Sequence, residues 1–331
     1  MKLFLCFVLS LSAALAAEGF HVIQKIHIGG SVTWGRPTLD EAARRLYIPN
    51  DNRVVVVDID AGKVVGEIPG AAGIQGVAVA PDSGRGFISN GPSNDVTTFD
   101  LKTLKPVGKV RAGADPGPIV FEPKTARVFA FNLESQDATV IDSKTGEAAG
   151  KVSLGGKATA AVADGSGKIW IDLLVTDEDW NVSSEVGVVD AEKLTLLRHN
   201  SISPCDRPAD LAIDAKNRRV FTVCGNARMA VVDADSGKMI GTVPIGKLAS
   251  GAGFDPGTGL AFSANGGDGT MTVVSEANGT FGAVETVPTA RGSRILSVDP
   301  KTHNVYLPAV EYAPSSTTPV ADSFMLLVVG K

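Results

Sequence analysis

The stretch Phe87-Ile88-Ser89-Asn90-Gly91-Pro92-Ser93-Asn94-Asp95-Val96-Thr97-Thr98-Phe99-Asp100 carries the pattern that decides the fold. A short apolar run opens with an aromatic residue and ends in Asn; a second run, after a turn, ends in Asp. Short β-branched and aromatic runs separated by Gly, Pro, Asn and Ser predict strands joined by a hairpin. Similar runs at 76–80 and 106–110 flank this pair, so the unit reads as four strands.

This four-strand unit occurs seven times along the chain. Successive aromatic residues at the start of its second strand lie 40 to 51 positions apart. These residues are Tyr47, Phe87, Phe129, Trp170, Phe221, Phe262 and Tyr306. Four antiparallel strands recurring at this period are typical of propeller blades. The sequence therefore predicts an all-β, seven-bladed β-propeller with four-stranded antiparallel blades.

The two ends of the chain are predicted to close the ring. The seventh unit reaches Lys331 directly after its third strand, so its fourth strand must come from elsewhere. Residues 21–30 match residues 147–156, which form the fourth strand of the third unit. We therefore expect the N-terminal strand to pair with the C-terminal blade, which removes two exposed sheet edges. Residues 18–331 are expected to form this single domain.

Residues 1–17 have the pattern of a secretory signal peptide. Lys2 precedes an apolar run from Leu3 to Leu15, and small residues follow it. This order of charge, apolar segment and small residues indicates cleavage near Ala16 or Ala17. The protein is expected in the periplasm or outside the cell. No later stretch reaches the length of apolar residues that a membrane helix needs, so no membrane span is predicted.

The motifs Tyr47-Ile48-Pro49-Asn50, Phe87-Ile88-Ser89-Asn90, Phe129-Ala130-Phe131-Asn132 and Phe262-Ser263-Ala264-Asn265 carry a family resemblance. They resemble the Tyr-Val-Thr-Asn motif of the YVTN-repeat propellers and the related exported YncE-like proteins. The likeness covers essentially the whole mature chain. Leu173, Cys224 and Ala309 depart from it at the Asn position. The resemblance implies an exported seven-bladed propeller and brings no catalytic motif with it.

Charge and motif content exclude several classes of function. The formal net charge is −5 and no basic run occurs, which argues against a nucleic-acid partner. The four His residues are scattered over different units, and the chain contains no HExxH, CxxC or GxSxG motif. No catalytic residue, metal site or cofactor is therefore predicted.

Cys205 and Cys224 are the only cysteines that remain after removal of the signal peptide. Cys205 precedes the first strand of the fifth unit, and Cys224 ends the second strand of that unit. The hairpin brings both to the same end of the blade, and an exported protein folds in an oxidising compartment. We predict a disulfide between them; two buried free thiols are the alternative.

The ligand-binding face is predicted from the loops around the channel mouth. In a propeller the connections from fourth to first strand, and from second to third, emerge on one face. Loops carry most binding residues because the scaffold positions them there. The candidates on this face are Trp34, Arg36, Gln75, Asp115, Lys157, Trp180, Arg207, Arg291, Arg294 and Tyr312. Aromatic and Arg side chains dominate binding hot spots, and several cations at a channel mouth favour an anionic ligand.

Two functions are compatible with this face. The favoured one is a non-catalytic binding or scaffold propeller, expected to be monomeric, that holds a small molecule, glycan, peptide or partner protein. The alternative is a lactonase-type hydrolase with a metal-assisted site in the central channel. That reaction needs converging carboxylates and usually a divalent cation; Asp115, Asp206 and Asp210 are the acidic candidates.

Overall fold

The computed structural model describes residues 19–30, 35–70, 73–313 and 316–331, in seven four-stranded antiparallel sheets. This arrangement confirms the predicted seven-bladed β-propeller. The signal peptide predicted for residues 1–17 lies outside the described residues, as does Trp34. In the described part the helical content is one 3₁₀ turn, Pro81–Ser83.

The strands are numbered in chain order. The N-terminal strand is β1 (His21–His27). Blade one contains β2 (Thr38–Asp40), β3 (Arg45–Asn50), β4 (Arg53–Asp58) and β5 (Lys63–Pro69). Blade two contains β6 (Ile74–Ala80), β7 (Arg85–Asn90), β8 (Asp95–Asp100) and β9 (Pro106–Arg111). Blade three contains β10 (Pro116–Glu122), β11 (Arg127–Asn132), β12 (Asp137–Asp142) and β13 (Ala148–Ser153).

Blade four contains β14 (Lys157–Ala163), β15 (Lys168–Thr176), β16 (Val182–Asp190) and β17 (Thr195–Ser201). Blade five contains β18 (Pro208–Asp214), β19 (Arg219–Cys224), β20 (Arg228–Asp233) and β21 (Met239–Pro244). Blade six contains β22 (Ala249–Asp255), β23 (Leu260–Asn265), β24 (Thr270–Ala277) and β25 (Thr280–Pro288). Blade seven contains β26 (Ser297–Val298), β27 (Val305–Ala309) and β28 (Met325–Gly330), and β1 completes it.

The ring closes through the two ends of the chain, as predicted. Strand β1 pairs antiparallel with β28, from His21 opposite Gly330 to His27 opposite Met325. Phe20 adds an edge-to-face contact with Phe262 of blade six, with ring centroids 5.5 Å apart. The N-terminal strand thus holds blade seven and also contacts the blade before it.

The seven in-register aromatic residues are packing residues between blades. Each is at most 4% exposed. Phe129 of blade three packs in one cluster with Ile171 of blade four, and Trp170 of blade four packs with Val220 of blade five. The same relation holds around the ring, because each of the seven lies in a cluster with residues of the following blade.

The Asn residue that ends the second strand of a blade ties that strand to the third strand. The Nδ2 atom of Asn90 donates to Asp95 Oδ1 at 2.7 Å and to Thr97 Oγ1 at 3.0 Å. Equivalent side-chain bonds occur at Asn132 and Asn265. These Asn residues are buried and stabilise the hairpin.

The sequence predicts two long connections between second and third strands, residues 173–184 of blade four and 311–322 of blade seven, and these two insertions differ in structure. The blade four insertion, expected as a loop from Leu173 to Ser184, is largely a longer hairpin, because β15 and β16 run on to leave only residues 177–181 as a turn. The blade seven insertion has one isolated bridge, between Tyr312 and Pro319. Only the second insertion therefore forms an extended loop beside the channel mouth.

Cys205 and Cys224 are joined by a disulfide, with their Cα atoms 5.6 Å apart. Cys224 lies opposite Pro208 in the ladder, and a register shift follows between Pro208 and Asp210. Both sulfur-bearing residues are buried, at 3% and 0% exposure. The bond ties the loop before β18 to the end of β19.

The oxidation state of the mature protein can be measured directly. We expect no free thiol in denatured, unreduced protein that consists of residues 18–331, because both cysteines are held at bonding distance. Titration with a thiol reagent, compared with a reduced sample that gives two thiols, measures this. Two titratable thiols before reduction would contradict the disulfide.

Removal of the N-terminal strand tests ring closure. Deletion of residues 18–30 leaves β28 as an unpaired edge and uncovers Phe262, so we expect most of the soluble, monomeric yield to be lost. Size-exclusion chromatography and thermal unfolding measure the change. A shortened protein that stays monomeric with an unchanged melting temperature would contradict the role of β1.

Candidate functional site

Arg36 of blade one crosses the central channel. The first strands of the blades surround the channel and contact one another around the ring. The Arg36 side chain donates from Nε to Asp210 Oδ1 at 2.9 Å and from Nη2 to the Thr159 carbonyl oxygen at 2.9 Å. Nη2 also donates to the carbonyl oxygen of Ala209. Because these acceptors belong to blades four and five, one side chain links opposite sides of the ring.

Asp210 holds Arg36 in place. A register shift in the β18–β19 ladder precedes it, and its side chain is only 10% exposed. Its second oxygen, Oδ2, accepts from the backbone N–H of Ala252 at 3.0 Å. Burial raises the pKa of this carboxyl, while the Arg36 charge and the hydrogen bonds oppose that rise. Both oxygens are engaged, so Asp210 acts as a positioning group for the guanidinium.

A cavity of about 450 Å³ lies at the channel mouth, on the side of the loops that lead into the first strands. Three guanidinium groups line it, those of Arg36, Arg207 and Arg294. Gln75, Gly117, Pro118, Leu133, Thr159, Pro208, Ala209, Ser250 and Ile295 complete the lining. No carboxylate belongs to this lining in the described part of the chain. Two of these groups are paired with carboxylates outside the lining, Arg36 with Asp210 at 2.9 Å and Arg207 with Asp206 at 3.3 Å. The charged residues that line the mouth cavity itself are therefore all cationic, although their charge is partly balanced nearby.

A second cavity, of about 430 Å³, occupies the bore of the channel. Side chains of all seven first strands form its wall, among them Leu39, Val77, Phe121 and Leu296. Arg36 and Gln75 line both this cavity and the mouth cavity. The Arg36–Asp210 pair thus separates a charged mouth from a bore with mainly apolar side chains.

A third cavity, of about 340 Å³, lies beside the mouth between blades six and seven. Arg291 and Tyr312 line it, with the guanidinium carbon 4.7 Å from the ring centroid. Arg291 also donates to the carbonyl oxygen of Ser316. Gly292, at φ 85°, allows this packing, since a Cβ there would lie 2.7 Å from Tyr312 Oη. Arg294 lines both this cavity and the mouth cavity, so the two are neighbours.

Three of the predicted candidates lie apart from these cavities. Asp115, Lys157 and Trp180 line none of the three. Lys157 pairs with Glu134 at 2.7 Å. Trp180 is 86% exposed at the tip of the blade four hairpin. The structure therefore brings together Arg36, Gln75, Arg207 and Arg294 at the mouth, with Arg291 and Tyr312 adjoining them.

Asp172 is a buried charged residue that sequence reasoning missed. It is 0% exposed, and its Oδ2 accepts from Thr222 Oγ1 at 2.9 Å. Its Oδ1 has no hydrogen-bond partner among the described residues. Burial, together with the nearby charge of Asp210, raises the pKa of Asp172 well above its usual value. The sequence does distinguish this residue: in the motif Trp170-Ile171-Asp172-Leu173 the third position is acidic, whereas the corresponding position is uncharged in the other six blades.

The described residues contain neither a cluster of metal-ligating side chains nor a membrane-spanning helix. No group of three or more His, Cys, Asp or Glu side chains is arranged there to hold a metal ion. None of the helical segments in that part is long and apolar enough to cross a membrane.

Comparison with known proteins supports the fold. No family model and no curated protein sequence matches this chain. Among solved structures, a chain of Kuenenia stuttgartiensis hydrazine synthase matches with a TM-score of 0.70 and 16% sequence identity. The match covers 82% of this chain and 91% of that chain. At this level of identity the likeness shows a shared fold and nothing about activity.

The buried Asp172 generates a pH-dependent prediction. The pKa of Asp172 is higher in the folded than in the unfolded protein. The stability contributed by the protonated group is therefore fully present below the unfolded pKa of about 4 and is lost as pH rises through the folded pKa. Asp172→Asn keeps an acceptor for the Thr222 hydroxyl and cannot ionise. Its stability relative to the wild type should therefore increase as pH rises. We expect the unfolding free energy of Asp172→Asn, relative to that of the wild type, to be higher at pH 8 than at pH 5.

Urea denaturation at pH 5 and pH 8 measures this gain. Asp179→Asn, in the exposed turn of blade four, is the matched control and should stay within about 0.5 kcal/mol at both values. A loss of stability in Asp172→Asn that grows with pH would show that the wild-type carboxyl is stabilised as an anion.

Proposed function

We propose that this chain is an exported, non-catalytic binding propeller of the YVTN-repeat, YncE-like type that holds an anionic ligand at its channel mouth. The observation that carries this proposal is the lining of the mouth cavity. It has three guanidinium groups and no carboxylate in the described part of the chain. Guanidinium groups bind carboxylates and phosphates through paired, charge-assisted hydrogen bonds.

The position of Arg36 supports an anion site. Its hydrogen bonds to described residues use Nε and Nη2, which leaves Nη1 for a ligand acceptor. Asp210 and two carbonyl oxygens hold the group before any ligand arrives. A group that is already ordered loses less conformational entropy on binding, which favours affinity.

The neighbouring cavity extends the ligand class. Arg294 lies between the mouth and the Arg291–Tyr312 pocket, so a ligand larger than a single anion has a second cationic surface within reach. A carboxylated sugar, an acidic peptide or a small organic anion fits this arrangement. The signal peptide pattern and the Cys205–Cys224 disulfide support an exported location, since disulfides persist in oxidising compartments.

The geometry of Asp210 favours binding over the hydrolase alternative. A general base or metal ligand in the channel needs a carboxylate oxygen that is accessible to substrate. Both oxygens of Asp210 accept hydrogen bonds from the protein. The buried carboxylate of the channel therefore serves to hold Arg36.

Galacturonate binding tests the function, with neutral galactose as the comparison ligand. We expect galacturonate to bind and galactose not to, and Arg207→Ala or Arg294→Ala to weaken binding about tenfold, which is about 1.4 kcal/mol. Isothermal titration calorimetry at low and high salt measures both affinities and should show weaker binding at high salt.

Lys157→Ala is the matched control, because it removes a cation from the same face that lines none of the cavities. Equal losses in Lys157→Ala and Arg294→Ala would reject the mouth as the site. Arg36→Ala is not suited to this test, since it leaves Asp210 buried without its partner and so is expected to destabilise the fold by several kcal/mol.

A further inference from the structure

The face opposite the channel mouth carries a repeated contact between blades. At four successive junctions, a guanidinium of one blade donates to a backbone carbonyl oxygen in the turn between the third and fourth strands of the next. The bonds are Arg45 to Leu101 at 3.0 Å, Arg85 to Lys144 at 3.1 Å, Arg127 to Ala191 at 2.8 Å and Arg198 to Ala234 at 3.0 Å. Each junction from blade one to blade five is closed in this way.

The turns that accept these bonds share one construction. The third strand ends in Asp, whose side chain accepts backbone N–H groups two or three residues later, as Asp190 does from Glu192 and Lys193. This bends the chain over the preceding blade, and the residue after Asp is buried or partly buried. Ala191 and Ala234 are 0% and 1% exposed at this position. Each turn thus presents a carbonyl and an apolar or small residue to its neighbour.

The junction between blades five and six breaks the pattern. Ser275 replaces Asp at the corresponding position, and β24 continues to Ala277. The chain reverses at Asn278 and Gly279, both with positive φ (52° and 76°), so the hairpin extends outward and its residues 276–280 are exposed. The turn that covers the neighbouring blade at the four preceding junctions is absent from this junction.

Arg219 stands where Arg45, Arg85 and Arg127 stand in their blades, at the start of the second strand. It has no turn carbonyl of blade six to bind. Its charged partners are Asp233 at 3.2 Å and Glu276 at 3.6 Å. The Nε atom is the one that lies 3.6 Å from Glu276 Oε2, and it makes no hydrogen bond to the described residues. At this position Arg219 has ion pairs but lacks the turn carbonyl that the four preceding junctions provide.

A cavity of about 490 Å³ occupies the place of the missing turn. Only blades five and six line it. Its wall contains Phe254, whose ring stacks on Phe221 at 5.7 Å and an interplanar angle of 10°, and Leu260. Arg219, Asp214 and Glu276 are the charged residues in its lining. The cavity therefore combines an apolar wall with an Arg that lacks a turn carbonyl and an excess of negative charge.

We propose that this cavity binds a tight turn of a partner peptide, which supplies the carbonyl oxygen and the small apolar residue that the four preceding junctions receive from the chain itself. The carbonyl accepts from Arg219, and the small side chain packs against Phe254. Asp214 and Glu276 favour a peptide with a Lys beside the turn, as the chain's own turns have at Lys193 and Lys238. This site lies on the face opposite the proposed anion site and does not depend on it.

The chain provides the probe for this proposal. A cyclised hairpin peptide with the sequence of residues 187–198 carries the blade four turn, including Asp190, Ala191 and Lys193. We expect saturable chemical-shift changes in the wild-type protein, confined to residues around Gly259 and Gly279. The same peptide with Ala191→Trp is the control, and we expect it to bind at least tenfold more weakly because its side chain exceeds the small residue that the junction accepts.

Two protein variants complete the test. Arg219→Ala should weaken the peptide at least tenfold, whereas Arg127→Ala, which removes the equivalent group from an occupied junction, should leave its affinity unchanged. Glu276→Lys lies on the exposed hairpin, so it keeps the fold and should also weaken the Lys-bearing peptide about tenfold. Absence of binding, shifts located at the channel mouth, equal effects of Arg219→Ala and Arg127→Ala, or full affinity in Glu276→Lys would overturn the proposal.

Discussion

A four-stranded blade has two apolar faces and buries neither of them alone. Each blade therefore needs a neighbour on both sides, and the structure meets this need by placing one large aromatic residue of every blade against the next. A row of blades would leave two faces exposed, so the row must close into a ring. The pairing of β1 with β28 supplies that closure. The central channel, and every residue that projects into it, is a consequence of closing the ring.

The closed ring also explains how one side chain serves as the floor of a binding site. Seven first strands leave an axial space that the chain must fill, line or bridge. Arg36 bridges it through its ion pair with Asp210. A buried ion pair is stable only when the other polar atoms of its two side chains are also hydrogen-bonded. Here Ala252 N–H donates to Asp210, and Arg36 donates to the Thr159 carbonyl oxygen. Three Arg residues line the mouth, and Arg36 is held there by Asp210. The position of one cationic group at the mouth therefore depends on a contact made across the ring.

Periodicity made the fold predictable, and the same periodicity limited what could be predicted of the site. Blade number, strand order, ring closure and the burial of the aromatic residues follow from a pattern repeated seven times. Arg36 was identified as a mouth residue, but its partner lies 174 positions away, and no local pattern connects the two. Trp180 was expected to join the site, yet the insertion that carries it is mostly a longer hairpin that projects from the ring.

Functional sites in this molecule are best sought where one blade departs from the other six. Equivalent positions in the blades face the same packing requirement. A residue of a different type at one of these positions therefore either lowers stability or has another role. Asp172 departs with a buried carboxyl near Asp210, and blade six departs with an extended hairpin that leaves Arg219 without a turn carbonyl of the next blade. In both cases a polar atom makes no hydrogen bond to the described residues, Oδ1 of Asp172 and Nε of Arg219. Comparison among blades separates these positions from ordinary packing residues, because the four junctions from blade one to blade five show which contact is missing.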